Sequence, residues 1–275
     1  MATPKPIRPY QWLAQYCDQL MSFHRPIFAK ARQQILGPVL GGVDSVCDLA
    51  CGTGGTAIEF AKAGYKSSGV DLSPTMIRIA REKAAKANLD VRFTRGDMRK
   101  FKLPEPVDLI TCEFDALNHV LEKSDLALVA QSVAKALRPG GYFYFDVNNL
   151  PAFENVWPLG WFQDKPGVAV MLHGGHNQGE DRAWSDIEWF IKEGPLWRRH
   201  HEHVEEVCWT RPEIRGALRA AGMKIVGSFD ATLFFQNDRL TSPGYRTFYL
   251  ARRTTKPGRK PNPERASTLL SEPRP

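Results

Sequence analysis

The chain has 275 residues, 43% of them hydrophobic and 24% charged, which suits one α/β domain with additions and a substantial core. It contains no run of about 18 apolar residues, so a membrane-spanning helix is not expected, and residues 1–9, rich in proline with two cations, do not read as a signal peptide. The net charge of +7 sits at the ends: Lys5 and Arg8 precede Tyr10, and from Arg252 onward seven cations face Glu264 and Glu272, leaving residues 10–251 neutral and without the basic stripe of a nucleic-acid binder.

Residues 1–9 are expected to be flexible. Residues 10–36 repeat apolar positions at helical spacing, among them Tyr10, Leu13, Tyr16, Leu20 and Ile35, which predicts one or two helices interrupted near Pro26. Short apolar runs follow at 45–50, 67–70, 91–94, 109–112 and 142–147, separated by helical stretches. That alternation is the pattern of a parallel sheet covered on both faces. Ser73-Pro74 supplies a cap and a first helical proline, after which Met76, Ile77, Ala80, Ala84 and Ala87 form an apolar face. Arg138-Pro139-Gly140-Gly141 is predicted to stop the helix of Val129, Val133 and Leu137 and to turn into the fifth strand.

From 151 to 209 the helical period disappears. This stretch holds six of the seven tryptophans and alternates apolar with polar residues, as in Trp184-Ser185-Asp186-Ile187-Glu188-Trp189. It predicts a small antiparallel sheet inserted between the main domain's two segments, 10–150 and 210–252. Thr210 and Glu213 have the spacing of a capping box, opening a helix that ends near Gly222, and two more strands are predicted at 224–229 and 245–251. The basic tail 253–275 is expected to be disordered. Cys17, Cys47, Cys51, Cys112 and Cys208 are odd in number and scattered, which predicts reduced thiols in a cytoplasmic protein.

Four features fall at the C-terminal ends of predicted strands, the edge where open parallel sheets bind ligands. In Asp48-Leu49-Ala50-Cys51-Gly52-Thr53-Gly54 the glycines permit a sharp turn and close approach to a ligand, with free N–H groups on the following helix. This loop alone fits a dinucleotide as well, since Gly52-x-Gly54-x-x-Ala57 matches that fingerprint. Asp71 ends the second strand, where a carboxylate can accept from both hydroxyls of a ribose or can cap a turn beside Ser73. Gly96-Asp97-Met98 follows the third strand, where Asp97 can accept from an exocyclic amine while Met98 packs on a ring. The fourth strand runs into Glu113-Phe114-Asp115-Ala116-Leu117-Asn118-His119, which places polar side chains at the mouth of the site.

Taken in order, Asp48-x-Ala50-Cys51-Gly52-Thr53-Gly54, Gly69-Val70-Asp71-Leu72-Ser73, Gly96-Asp97-Met98 and Leu137-Arg138-Pro139-Gly140-Gly141 resemble successive motifs of the class I S-adenosylmethionine-dependent methyltransferases. The match covers roughly 42–148. Ala50 departs from it, since many members carry glycine there. The opening segment, residues 114–119 and the insert are similar to small-molecule members, including the amino-sugar N,N-dimethyltransferases. The resemblance implies an α/β Rossmann-like seven-stranded sheet, its last strand antiparallel, with helices on both faces. It further implies S-adenosylmethionine as cofactor, bound by Asp48, Ala50, Cys51, Gly52 and Gly54, with the loop backbone at the methionyl portion and Asp71 on the ribose. Leu72 and Met76 would flank adenine, Asp97 and Met98 would complete that pocket, and Glu113 and Phe114 would border the sulfonium.

The sulfonium methyl is already activated, so catalysis is mainly alignment for in-line displacement. His119 is the first candidate to remove a proton from the acceptor or to orient it, and Tyr16 is a candidate to help close the site. The expected acceptor is a small molecule with a nitrogen or oxygen nucleophile. An RNA or protein acceptor, supported by the basic tail, and an NAD-linked oxidoreductase are the alternatives. In His200-His201-Glu202-His203, alternation puts His201 and His203 on one strand face and His200 and Glu202 on the other. No complete ligand set is specified, so no metal is expected. The tryptophan-rich insert suits cross-strand packing, a roof over the acceptor built from Trp157, Trp161 and Phe162, or the surface of a homodimer.

Overall fold

The computed structural model describes residues 12–22, 24–177, 179, 181–234 and 242–254. Tyr10, the segment 1–9 expected to be flexible, and residues 255–275 of the basic tail lie outside the described residues. Two helices come first, α1 (Leu13–Leu20) and α2 (Arg25–Leu40). Strands and helices then alternate as β1 (Ser45–Leu49), α3 (Gly55–Lys62), β2 (Lys66–Asp71), α4 (Pro74–Lys86), β3 (Arg92–Arg95), β4 (Val107–Cys112), α5 (Lys123–Ala136) and β5 (Leu137–Asn148). A short helix α6 (Leu150–Asn155) leads into β6 (Trp161–Lys165), β7 (Val168–His176), β8 (Arg182–Glu193) and β9 (Leu196–Val207). The chain returns through α7 (Arg211–Ala220), β10 (Met223–Asp230) and β11 (Arg246–Arg253).

Seven strands form one sheet in the order β10-β11-β5-β4-β1-β2-β3. Pairs among β1 to β5 are parallel, and β11, the last strand, runs against both β5 and β10. All five side chains of β1 are buried, as expected of a central strand covered on both faces. Alternation divides the neighbouring strands between two cores. Cys47, Leu49, Ile110, Cys112, Phe143 and Phe145 meet Val133 of α5 and Leu218 of α7. Val46, Leu109, Tyr144 and Phe248 meet Phe28 and Leu36 of α2 and Phe60 of α3. Each such phenylalanine or leucine contributes about 1.5–3 kcal/mol by leaving water. The chain turns outward in both directions from β1 and β4, which opens a ligand crevice at their C-terminal ends.

Local signals place the helices. The Ser73 hydroxyl accepts from the Met76 N–H at 3.3 Å with Pro74 in the first turn, and Thr210 and Glu213 close a reciprocal capping box. Two details differ from the sequence reading. Helix α5 ends at Ala136, and residues 137–141 already belong to β5: Leu137 pairs with Val107, and the register then shifts before Leu109 meets Tyr142. Gly140, at φ +81°, lets Arg138-Pro139-Gly140-Gly141 form a bulge at the strand's start instead of a separate turn. Ala87 caps the end of α4 and is exposed, past the last residue of that helix to face the core.

The insert is a four-stranded antiparallel sheet, β6-β7-β8-β9. Its inner face buries Val168, Val170, Ile187, Trp189 and Val204 against Leu20, Leu13 and Tyr16 of α1. The N-terminal helix therefore packs with the insert. Among the described residues no helix is long and apolar enough to cross a membrane.

Candidate functional site

The loop after β1 takes the left-handed conformation at Ala50 (φ +55°), Gly52 (φ +54°) and Gly54 (φ +79°). Such a backbone exposes peptide groups in quick succession, and Ala50 adopts it without the freedom of glycine. The loop is fixed at several points. The N–H of Cys51 donates to the Val70 carbonyl at 3.1 Å, and that of Gly54 to the Cys51 carbonyl at 2.9 Å. The Gly52 N–H donates to Oδ2 of Asp71 at 2.8 Å, while Oδ1 of Asp71 accepts from the Ser73 N–H at 2.8 Å.

Asp71 thus ties the first and second strand ends, and each oxygen keeps a lone pair for another donor. Burial raises its pKa, against three backbone N–H donors that lower it. Leu72 beside it is 63% exposed, an apolar surface at the site's rim. Met76 is buried beneath the loop, its Sδ 4.0 Å from where a Cβ on Gly52 would stand. The Gly96 N–H donates to the Asp71 carbonyl at 2.9 Å, which brings the third strand end alongside. There Arg99 takes up both oxygens of Asp97 and also reaches Asp125 of α5 at 2.8 Å. These bonds hold the Asp97 carboxyl below its usual range. Met98 packs on the core beside α5.

Beneath the loop, Asp48 is buried and its Oδ1 accepts from the Thr111 hydroxyl at 2.7 Å, bracing β1 against β4. Burial, then the charge of Glu113, pushes its carboxyl up to about 8. Glu113 is also buried. Its Oε2 accepts from Arg32 of α2 and from the Thr56 hydroxyl, the latter at 2.9 Å, while Oε1 has no partner. Burial raises the Glu113 pKa and the Arg32 charge opposes it. Arg32 also reaches Glu59, so one guanidinium binds α2 to α3 and to the end of β4.

The chain then turns through Phe114 (φ +60°) and Asp115 (φ +50°), two non-glycine residues in a region that costs each about 1–2 kcal/mol. Local packing holds the turn: Phe114 stacks on Phe28 with centroids 4.0 Å apart, and the Asp115 N–H donates to Oδ2 of Asp146 at 3.0 Å. Arg246 bridges Asp115, at 2.9 Å, and Asp146. Next comes a one-turn 3-10 helix, Ala116–His119. Buried Asn118 donates to the carbonyls of Asn148 and Val207 and accepts from the Asn148 N–H, clamping the ends of β5 and β9 together. Nδ1 of His119 lies 3.4 Å from the Glu205 carbonyl. Burial lowers the His119 pKa, which Asp115 partly opposes.

Tyr16 faces the insert. The α1 residue at the loop is Asp18: its Oδ1 accepts from the Thr53 hydroxyl at 2.7 Å, and it pairs with Arg25 and with Lys83 at 2.6 Å. Burial raises its pKa, but the bonds from Lys83 and Thr53 and the Arg25 charge outweigh it and hold the carboxyl low. The sequence reading missed Asp18, Arg32, Asp146, Glu206 and Arg246; apart from the Asp18–Arg25 pair, their partners lie tens of residues away with no local pattern.

In the histidine run, the faces separate as expected. His200 stacks on Trp12 at 3.7 Å, and Glu202 accepts from the Trp12 N–H and from Trp189 Nε1. His201 and His203 turn outward to Glu188 at 3.0 Å and Asp186 at 2.6 Å. Of the proposed roof, Trp157 packs edge-on against Phe153, Trp161 joins the insert core, and Phe162 is 61% exposed. All five cysteines carry free thiols.

Residues 46–141 match the family described as a methyltransferase domain. A dTDP-3-amino-3,4,6-trideoxy-alpha-D-glucopyranose N,N-dimethyltransferase of Streptomyces venezuelae is 32% identical over 185 residues, 66% of this chain and 76% of the relative. The YqeM protein of Bacillus subtilis (strain 168) is 26% identical over 247 residues, 89% of this chain and 97% of its own. The crystal structure of an S-adenosylmethionine-dependent methyltransferase from Clostridium acetobutylicum ATCC 824 has the same fold, with a TM-score of 0.74 at 24% identity over 89% of this chain and 99% of that one.

Proposed function

Because the chain belongs to the class I S-adenosylmethionine-dependent methyltransferases, we propose that it methylates a nitrogen or oxygen nucleophile of a small molecule, with an amine of the amino-sugar kind as first candidate. That membership also sets the NAD-linked reading aside. One observation carries the choice of acceptor: strand β9 of the insert is drawn by Asn118 against the end of β4, where Asp115 and His119 meet Glu206. A polar corner of this kind suits a small molecule, and the amino-sugar relative supports a nitrogen acceptor.

S-adenosylmethionine supplies a methyl group already activated on its sulfonium. The protein's part is to bind and align. The loop backbone at Ala50, Cys51, Gly52 and Gly54 would hold the methionyl portion over Asp48. Asp71 would take the ribose hydroxyls on its remaining lone pairs, and exposed Leu72 would cover adenine, with Met76 supporting the loop from below. Asp97 would reach an adenine amine by sharing its oxygens with Arg99, and Met98 would sit beside it. Glu113 and Phe114, fixed by Arg32 and Phe28, would border the sulfonium end. His119, whose pKa burial lowers, would accept a proton from the acceptor or orient it, and Tyr16 would act through the packing of α1. Free thiols fit a cytoplasmic setting.

The test is a panel of amino sugars, other amines and phenols assayed for S-adenosylhomocysteine release, with the full chain and with residues 255–275 deleted. Turnover of an amine by both forms is expected. Turnover confined to RNA or protein substrates, or lost on deletion, would refute the small-molecule reading.

A further inference from the structure

At the acceptor end, three side chains converge from two parts of the chain. Asp115 and His119 come from the turn after β4, and Glu206 comes from the end of β9, in the insert. One potential ligand atom from each lies within 4.8 Å of the other two. Glu206 is 7% exposed, and its Oε2 is buried without a hydrogen-bond partner. A buried carboxylate oxygen left unsatisfied costs about 1–3 kcal/mol or more, so its occurrence here calls for a ligand.

We propose that Asp115, His119 and Glu206 form a binding site for a divalent cation beside the acceptor.

The groups behind each ligand support this. Metal-bound imidazoles almost always donate their other N–H to a carbonyl or carboxylate, and ligating carboxylates are themselves held by hydrogen bonds. Nδ1 of His119 faces the Glu205 carbonyl at 3.4 Å. Oδ1 of Asp115 is held by Arg246 at 2.9 Å, which assigns Oδ2 to the cation. The Glu206 carboxyl has the Asn148 side chain near it, and its Oε2 has no hydrogen-bond partner.

Charge agrees. Asp115, Asp146 and Glu206 gather around one guanidinium, that of Arg246, so the corner can take further positive charge. Mixed imidazole and carboxylate donors suit Mn²⁺, Fe²⁺ or Zn²⁺ better than Mg²⁺, which prefers an all-oxygen shell. Metal–ligand distances of about 2.0–2.2 Å need each donor to move inward by no more than about 1 Å. Three protein ligands leave positions for water or for an oxygen or nitrogen of the acceptor. His119 would then serve as a ligand, and the cation would lower the pKa of the nucleophile it touches.

Cation binding can be read without methyl transfer, so it fails or stands apart from the function proposed above. Full-length protein is stripped with a chelator, dialysed and titrated with Mn²⁺, free Mn²⁺ being followed by its electron paramagnetic resonance signal. One equivalent bound per chain is expected, with affinity weakened by at least about tenfold in Glu206→Gln and in Asp115→Asn. Each variant's fold is checked by circular dichroism, and either one suffices if the other does not fold. The double variant His201→Asn/His203→Asn, on the outer face of the insert, should bind as the parent does. No binding by the parent, equal binding by the folded Glu206 and Asp115 variants, or loss of binding in the His201/His203 variant would each overturn the site.

Discussion

Gly54→Ala tests the geometry of the cofactor loop most directly. Gly54 holds φ +79°, and a Cβ there would lie 2.6 Å from Cζ and 2.8 Å from Cε1 of Phe93, and 2.9 Å from the Ala80 Cβ. Two costs follow. A non-glycine residue in the left-handed region costs about 1–2 kcal/mol, and wedging a methyl into a packed cluster costs about 1–3 kcal/mol. Alanine returns about 0.4–1 kcal/mol by stiffening the unfolded chain. A net loss of about 1–4 kcal/mol is therefore expected by urea denaturation, with weaker S-adenosylmethionine binding by calorimetry because the loop must shift. A double-mutant cycle separates the two costs. In a Phe93→Leu background the ring atoms nearest the new methyl are gone while the Ala80 Cβ remains, so the penalty of Gly54→Ala should shrink but stay above the conformational cost of about 1–2 kcal/mol. A penalty under about 0.5 kcal/mol in the parent, where surface changes lie, would refute the reasoning. So would an equal penalty in both backgrounds.

Asp48 is held at a pKa of about 8, above the usual carboxylate value of about 3.9. The folded state thus binds this proton more tightly, and its contribution to stability, full at low pH, is lost as pH rises toward 8. Asp48→Asn should therefore flatten the decline in melting temperature between about pH 5 and 9; a constant offset from the parent over that range would show that Asp48 does not titrate there. His119→Ala should lower turnover by about 10²–10⁴ while S-adenosylmethionine affinity, read by calorimetry, changes little; unchanged turnover would remove His119 from the mechanism. Asp18→Ala leaves the buried Thr53 hydroxyl without its acceptor, a loss of about 1 kcal/mol, and should weaken cofactor binding several-fold; unchanged affinity would mean that α1 does not steady the loop.

The alternation of buried strands with helices made the seven-stranded sheet legible, because a strand covered on both faces must be apolar throughout. The caps at Ser73 and Thr210 were legible because capping acts within four residues. Arg138–Gly141 was read as a helix stop, since glycine-rich turns and bulges share one composition. Which appeared depended on Leu137 pairing with Val107, a contact 30 residues away. The site divides in the same way. Gly52 and Gly54 were legible as the points where the loop after β1 turns sharply, because glycine tolerates a positive φ. Arg32, which joins Glu59 to Glu113, and Arg246, which joins Asp115 to Asp146, look in sequence like ordinary cations.

Helix α1 links the insert sheet to the glycine loop. Along its eight residues, Leu13, Tyr16 and Leu20 are turned to the insert sheet, while Asp18 reaches Thr53 in the glycine loop and Lys83 of α4. A shift of the insert that carried α1 with it would pull on Thr53, because Asp18 is ordered by Lys83 and Arg25 as well. The insert also closes on the end of β4 through Asn118 and the Val207 carbonyl. The insert is therefore tied to the glycine loop through Asp18 and to the turn bearing His119 through Asn118. Were cofactor to order the loop, any bias it placed on the insert through these contacts would be matched by an equal bias of acceptor on the loop.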